Sequence, residues 1–328
     1  MNFSLEIIAM LSLMLSKLKD FFRKYEFARD IHRDTFYLWN YCMTKISPAL
    51  FCKLIYWNMF RDNLDLDNPK SLNEKSIWLK LNPYRNNDLI RKCTDKYRVR
   101  EYIIECGCGE LLNELYAVWN SVDDIEWEKL PERFVLKCNH TSGDVVICRD
   151  KNSFDISKSK KILRRGMHRD YSVYLAELMY EGIPRKIICE KYLDATPFLI
   201  PRDYKIFCFH GIPHYIMYCT GREQGHAKYY FFDFDWKMLN ITYDSQKLGE
   251  DWNFFNDQKP LCLAEMREYA KRLSKPFPFV RVDFYEISGK IIFGELTFAN
   301  TGGFDNYILL PEYNLKMGEL LDLNKLDV

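Results

Sequence analysis

Along this chain the spacing of apolar positions changes character near residue 131. From Phe21 to Phe60 apolar residues recur at helical spacing, with Pro48 the only proline and no glycine to interrupt them, so residues 1 to about 65 read as helical. Asn68-Pro69-Lys70-Ser71 marks a boundary. Ser71 followed by Glu74 forms a capping box and predicts a helix over Leu72–Leu81. After Asn82-Pro83-Tyr84 a second helix is expected from Asn87 through Glu105, closed by the glycines of Cys106-Gly107-Cys108-Gly109. Leu115–Trp119 reads as a short strand, and residues 122–127 as a polar turn into a short helical segment.

From Pro131 onward strand patterns dominate. Phe134–Cys138 and Val145–Cys148 flank the polar loop Asn139–Asp144, residues 155–182 read as a basic helix, and Lys186–Leu193 as a strand. Asp203–His210 and His214–Cys219 form a hairpin about Gly211, followed by strand Tyr229–Phe234, amphipathic helix Leu261–Ser274, an acidic hairpin, and a last helix Glu312–Leu323. This order is α+β. No series of βαβ units ends in a glycine fingerprint, which argues against a dinucleotide-binding Rossmann site.

The acidic hairpin, Phe279–Gly303, holds the densest chemistry. A three-residue turn at Ile287-Ser288-Gly289 is expected to join two strands rich in β-branched and aromatic residues. Arg281, Asp283 and Tyr285 then share one face, as do Phe293, Glu295 and Thr297. Asp283 and Glu295 lie equally far from Gly289, so they should stand opposite one another and repel. Either a hard cation such as Mg²⁺ relieves that repulsion, with Arg281 near an anion the metal holds, or Arg281 alone neutralises both acids on a solvated face.

Other strands carry charge in apolar settings. Lys137 inside Phe134–Cys138 must snorkel or meet an anion, and the loop with Ser142 and Gly143 could lay backbone amides against a phosphate. Glu190-Lys191-Tyr192-Leu193 ends a buried strand whose free backbone groups could pair with an adenine edge between apolar side chains. Asp203 and Lys205 alternate onto one face of the next strand. The bland alternative for each is a surface ion pair worth under about 1 kcal/mol.

Composition narrows the class. With 328 residues, 48% of them hydrophobic and 16% aromatic, the chain can bury a large core in two or three lobes. Its 47 basic and 46 acidic residues cancel, so no global field favours nucleic acid. The 11 cysteines include no CxxC pair and several sit in apolar runs, a pattern suited to reduced thiols in the cytosol. Leu5–Leu15 is apolar but too short to span a bilayer, and its basic residues (Lys17, Lys19, Arg23, Lys24) follow it, unlike a signal peptide. Residues 1–24 read either as a peripheral helix on the inner face of the plasma membrane or as an amphipathic helix packed on the body.

Taken in order, FVLKCNH, CEKYL, DYKIFCFHG, FVRVDFY and FGELTF resemble the ATP-grasp superfamily, and LDNPKSLNEKSIWLKL, TDKYRVREYI and PERFVLKCNH are similar to its TupA-like family, named for teichuronopeptide biosynthesis. The resemblance covers roughly residues 65–323. It implies an ATP-grasp fold in which two α+β lobes hold a nucleotide: residues 1–65 a helical N-terminal region, 66–130 the first part of the body, 131–200 the small lobe, and 201–328 the large lobe with the metal-binding hairpin. It further implies an ATP- and Mg²⁺-dependent carboxylate–amine ligase working through an acyl phosphate. Its partners would be a carboxylate-bearing sugar or glycan, such as a uronic acid, and an amine or amino acid, in assembly of capsule, O-antigen or a teichuronopeptide-like polymer.

By that resemblance Lys137 and the Ser142-Gly143 loop contact ATP phosphates, and Glu190, Lys191, Tyr192 and Leu193 read the adenine. Asp203 and Lys205 form an acid-x-base pair with Lys205 on phosphate, Arg281 steadies the transferring phosphoryl group, and Asp283, Glu295 and Thr297 hold the metal. Two departures stand out. Thr141 and Asp144 replace glycines of the family's phosphate loop, restricting its backbone and placing a carboxylate near the phosphates; Thr297 stands where asparagine is usual. The altered loop keeps a catalytically degenerate nucleotide-binding scaffold in contention, beside an ATP-dependent sugar phosphotransferase. Asp233-Phe234-Asp235 matches a glycosyltransferase DxD pattern only superficially.

Overall fold

Among the described residues, the strand-rich part of the chain builds two antiparallel sheets, one of four strands and one of six, with helices on their outer faces. The computed structural model describes residues 26–326 apart from 197–199, 222–224, 226, 249–254, 256 and 257; the apolar N-terminal run and residues 1–24 lie outside the described residues. Two N-terminal helices, α1 (Glu26–Ile46) and α2 (Pro48–Phe60), are joined at Ser47, which caps α2 by accepting from Leu50 N at 3.2 Å. Helix α3 (Leu72–Leu81) opens with the expected capping box, Ser71 and Glu74 each satisfying the other's backbone N–H.

The helix expected over Asn87–Glu105 is broken into α4 (Asp88–Thr94) and α5 (Val99–Glu105). Asp95 breaks it, because its Oδ1 accepts from the backbone N–H of Tyr97 at 2.8 Å and competes with the helical pattern. The smaller sheet has order β1-β4-β2-β3, with β1 Leu115–Trp119, β2 Phe134–Cys138, β3 Val145–Cys148 and β4 Ile187–Lys191. Phe134, Leu136 and Cys138 alternate inward on β2 and pack with Leu163 of helix α6 (Ile156–His168), leaving Val135 and Lys137 on the opposite face. The expected long helix over 155–182 ends at His168. Beyond it the chain runs in short 3₁₀ turns in which Leu175 and Ala176 take φ of 53° and 52°.

The larger sheet has order β10-β9-β5-β6-β7-β8: β5 Arg202–Phe209, β6 Ile212–Thr220, β7 Lys228–Phe232, β8 Met238–Leu239, β9 Phe279–Ile287 and β10 Lys290–Thr297. After β8 comes helix α7 (Tyr243–Leu248). Helix α8 (Leu263–Ser274) covers one face of the sheet with Met266, Ala270 and Leu273 among Ile206, Cys208, Val282 and Phe284. The other face of β5 and β9 turns toward the smaller sheet. A last helix, α9 (Pro311–Glu319), lies against the start of α3. All 11 cysteines are free thiols, most of them buried. Among the described residues no helix is long and apolar enough to cross a membrane.

Candidate active site

The polar face of the larger sheet is set by register. Lys205 on β5 faces Asp283 on β9, which in turn faces Glu295 on β10, and Arg281 faces Thr297. The opposition of Asp283 and Glu295 is as expected, but the turn is not. The loop has two residues, Ser288 and Gly289, both at positive φ (51° and 78°), a geometry matched to strand twist. A bulge at Gly294 then supplies the one-residue shift that brings Glu295 opposite Asp283. There is no room for a side chain at the bulge: a Cβ on Gly294 would lie 2.9 Å from the Asp283 carbonyl oxygen.

Arg281 joins this face together. It grips Asp283 with two nitrogens (Nε to Oδ1 2.7 Å, Nη2 to Oδ2 2.8 Å), and Nη2 also reaches Thr297 Oγ1 at 3.1 Å and Glu295 Oε1 at 3.4 Å. Its third nitrogen donates to Asn300 Oδ1. Lys205 donates to Asp283 as well and lies 3.0 Å from Asp203 Oδ2. Burial pushes the Asp283 carboxyl up, yet Arg281 and Lys205 outweigh it and hold the group below the ordinary carboxylate range. Burial likewise pulls Arg281 down, and Asp283 more than reverses that. Glu295 differs from its neighbours in keeping a side chain 44% exposed.

The smaller sheet supplies the facing wall. Lys137 meets its anion within the sheet, donating to Glu190 Oε2 at 2.7 Å, and Arg100 of α5 approaches Glu190 Oε1 at 3.6 Å. Lys96, to which the sequence reading assigned no role, enters beside them, because the helix break at Asp95 projects it. Buried Asn139 donates to Asp95 at 2.8 Å and accepts from Lys96 N through its own carbonyl at 3.0 Å, while the Lys96 ammonium donates to the Thr141 carbonyl. Burial lowers the Lys96 pKa, with Glu295 opposing the shift. Reading TDKYRVREYI as one helix hid this residue; the signal present was Thr94-Asp95, a pair suited to ending a helix.

Asp144 does not line the middle of the cleft. It turns to α6, accepting from Arg165 Nη2 at 3.2 Å, and leaves Ser142 and Gly143 lining the cleft. Lys191 borders the apolar end of the seam, and its polar groups have partners within the protein. Its side chain turns out to Glu114 at 3.2 Å, its N–H donates to the Glu114 carbonyl at 2.9 Å, and its carbonyl accepts from Asn113 at 2.9 Å. Strand β4 is interior to its sheet, so its backbone is committed, and only Tyr192 and Leu193 extend past the ladder. Asp233 of the DxD sequence caps its own turn, accepting from Asp235 N and Lys237 N at 3.0 and 2.8 Å.

Three cavities adjoin along the seam between the sheets. The middle one, about 300 Å³, is lined by Lys96, Arg100, Lys137 and Lys205 and by Glu190, Asp203, Asp283 and Glu295. At one end, sharing Lys137 and Glu190, a space of about 350 Å³ is walled by Val135, Val145, Ile147, Tyr192, Leu193 and Tyr285. At the other, sharing Ser142, Lys205 and Glu295, a space of about 390 Å³ is lined by Arg281, Thr297, Asn300 and several tyrosines. Two loops with positive-φ residues meet at that end, Leu175-Ala176 and Thr301-Gly302. The fully buried Lys80 of α3 ties them, its ammonium donating to the Leu175 and Gly302 carbonyls at 2.6 Å each.

A family model described as TupA-like ATP-grasp matches residues 74–322, and the chain belongs to that family. The α+β ATP-grasp fold read from the sequence is the fold observed. Similar solved structures include D-alanine–D-alanine ligase from Bacillus anthracis with ATP (16% identity, TM-score 0.41, 70% of this chain and 64% of that one). Another is carboxyaminoimidazole ribonucleotide synthase from Aspergillus clavatus with ATP (13% identity, TM-score 0.38, 65% of this chain and 47% of that one). A third is the ATP-grasp ligase PsnB (10% identity, TM-score 0.39, 73% and 62%). The chain spans less than two thirds of the length of each of these structures. No curated protein matches it in sequence.

Proposed function

We propose that the protein is an ATP- and Mg²⁺-dependent carboxylate–amine ligase, with the nucleotide lying along the seam between the sheets. The observation that carries this is the convergence of Lys96, Lys137 and Lys205 on the middle cavity, from both sheets and the α4–α5 break, with Arg281 lining the cavity that adjoins it. Its apolar end suits a base stacked among Val135, Ile147, Tyr192 and Leu193, and its middle suits phosphates on the lysines and the Ser142-Gly143 loop. The middle cavity holds four basic and four acidic side chains, so a triphosphate brings uncompensated negative charge. The donors nearest it on β9 and β10 (Asp283, Glu295, Thr297) are all oxygens, which fits a hard divalent cation accompanying the nucleotide. Among the described residues no three His, Cys, Asp or Glu side chains are clustered for a metal, and Asp283 would have to share its oxygens with Arg281 and Lys205. Mg²⁺ would supply charge neutralisation of the β- and γ-phosphates.

In the proposed reaction a substrate carboxylate oxygen attacks the γ-phosphorus, the bond to the bridging oxygen breaks, and ADP leaves. An amine nitrogen then attacks the acyl carbon, inorganic phosphate leaves, and the nitrogen sheds a proton. Arg281 and Lys205 stabilise charge on the transferring phosphoryl oxygens, and positioning provides the rest. Membership of the TupA-like family supports reading the acid as the carboxylate of a uronic acid-type sugar and the product as part of a cell-surface polysaccharide. Calorimetry with Mg-ATP is the test. Wild type should bind only with Mg²⁺, Lys137→Ala should bind about tenfold more weakly, a loss of about 1.4 kcal/mol, and Glu295→Gln should lose most of the Mg²⁺ dependence. Absence of binding by wild type would leave a scaffold without nucleotide. ADP release without an amide product would point to a phosphotransferase instead.

We further propose peripheral membrane contact through the N-terminal region. Helix α2 exposes Leu50, Leu54 and Trp57 at one-face spacing, and α1 exposes Leu38, Trp39 and Ile46. These apolar groups continue a chain whose preceding residues carry an apolar run followed by Lys17, Lys19, Arg23 and Lys24. The full chain should sediment with vesicles containing phosphatidylglycerol but not with pure phosphatidylcholine, and Leu54→Glu with Trp57→Glu should abolish this without altering Mg-ATP binding. Self-association in place of vesicle binding would assign the stripe to a second copy.

A further inference from the structure

We infer that the tyrosine-lined cavity beyond Glu295 is the site of the amine substrate, bound as an ammonium ion by Glu177; this rests on the ligase reading. Glu177 is 7% exposed and lines that cavity, in the same space as Arg281, Glu295 and Thr297. Among the described residues it forms no ion pair within 4.0 Å. Lys80, the cation with most influence on it, gives two of its three N–H donors to the carbonyls of Leu175 and Gly302 and forms no ion pair with Glu177 within 4.0 Å. A carboxylate buried without a cation is expensive unless a ligand brings one.

Burial pushes the Glu177 carboxyl up to about 7 against the pull of Lys80 and Lys96, with Glu295 adding to the rise, so the nearby cations do not offset its burial and an arriving positive charge does. The walls suit the same ligand. Tyr171 packs with Tyr174 and Tyr180 on one side (ring centroids 5.4 and 4.7 Å apart), and Tyr229 with Tyr307 on the other (6.3 Å). Ammonium groups are attracted to such aromatic faces, most strongly where water is excluded. The strained Leu175-Ala176 and Thr301-Gly302 loops shape this end of the seam, and strain of that kind persists where the surrounding structure over-determines it. The bound ammonium becomes a nucleophile by giving one proton to the Glu177 carboxylate; the neutral nitrogen then attacks the acyl carbon, inorganic phosphate leaves, and the nitrogen passes its second proton to that phosphate.

The test uses the full chain with Mg²⁺ and a non-hydrolysable ATP analogue. Glycine, both alanine enantiomers, lysine, ethanolamine and putrescine are each compared with the N-acetylated counterpart by saturation-transfer NMR, and binders are titrated by calorimetry. At least one free amine should bind where its acetylated form does not. Glu177→Gln should weaken it at least tenfold, and Tyr307→Ala, at the exposed rim, by several-fold. Both variants should keep wild-type affinity for Mg-ATP, which shows that they fold. Equal amine affinity in wild type and Glu177→Gln, or no amine binding by a protein that binds Mg-ATP, would overturn the amine site while leaving the ligase reading standing. Failure of wild type to bind Mg-ATP would overturn both.

Discussion

Arg281→Ala should lower stability by about 3 kcal/mol and abolish turnover, because removing one partner of a buried ion pair strands the other. Asp283 is 2% exposed and takes two of its hydrogen bonds from Arg281. Without the guanidinium only Lys205 offsets the burial of that carboxylate, so its pKa should rise. The sign of the pH dependence follows. In the wild type the folded-state pKa is depressed, so the pair's contribution is present at neutral pH and is lost as pH falls through that depressed value. In the variant the carboxyl protonates at higher pH. The stability gap between the two proteins should therefore be widest near neutrality and should narrow as pH falls from the variant's raised pKa to the wild type's depressed one, which lies below the ordinary Asp value of about 4. Denaturant unfolding at several pH values measures this; a gap that stays constant with pH would show that lost packing, not the stranded charge, sets the cost. Arg281→Lys should recover part of the stability but little activity, since an ammonium cannot make the forked contact to Asp283 while also reaching Asn300 and Thr297.

The second large effect is Gly318→Ala. In the interior of an exposed helix this exchange is favourable by about 1 kcal/mol. Here the added Cβ would fall 2.1 Å from the Lys70 carbonyl oxygen, 2.8 Å from the Ser71 carbonyl carbon and 2.9 Å from Leu72 N, all backbone atoms that no rotamer change can move aside. Helix α9 is held in that position by Asn314 Oδ1, which accepts from Asn73 N at 3.0 Å, and by Lys75, which donates to the Gly318 and Leu321 carbonyls at 2.8 Å each. Relief requires moving the helix and surrendering those contacts, so the expected loss is roughly 3 kcal/mol or more. Leu315→Ala, at an exposed position of the same helix, should shift stability by less than about 0.5 kcal/mol. A Gly318→Ala protein as stable as wild type would mean that α9 does not dock on α3 this closely in solution.

Much of the larger sheet was legible in the sequence because period-two alternation survives on β9 and β10. The facing of Asp283 and Glu295 came out as expected even though its expected cause, a three-residue turn, was replaced by a two-residue turn and a bulge. The two routes give the same register, and alternation cannot tell them apart. What stayed hidden has two physical origins. A helix break made by one carboxylate, as at Asp95, leaves the apolar period on either side intact, so Lys96 was read as one more helical surface residue. Groups brought together from distant segments leave no local trace at all, as with Lys80 beneath the Leu175 and Gly302 carbonyls or Glu177 beside Glu295. At Lys191 the strand end was visible, but the pairing of its backbone with Asn113 and Glu114, just before β1, was not.

The Lys80 ammonium makes the two loops at the tyrosine end mechanically dependent on each other. Each hangs from the same point in α3, so exchanging either loop for one of another length would release its counterpart as well. If the amine binds here as proposed, altering which amine is taken should therefore succeed through substitutions at Tyr174, Tyr229 and Tyr307, whose side chains line the space while the tether stays intact. Loop grafting should fail here unless α3 is carried along with both loops.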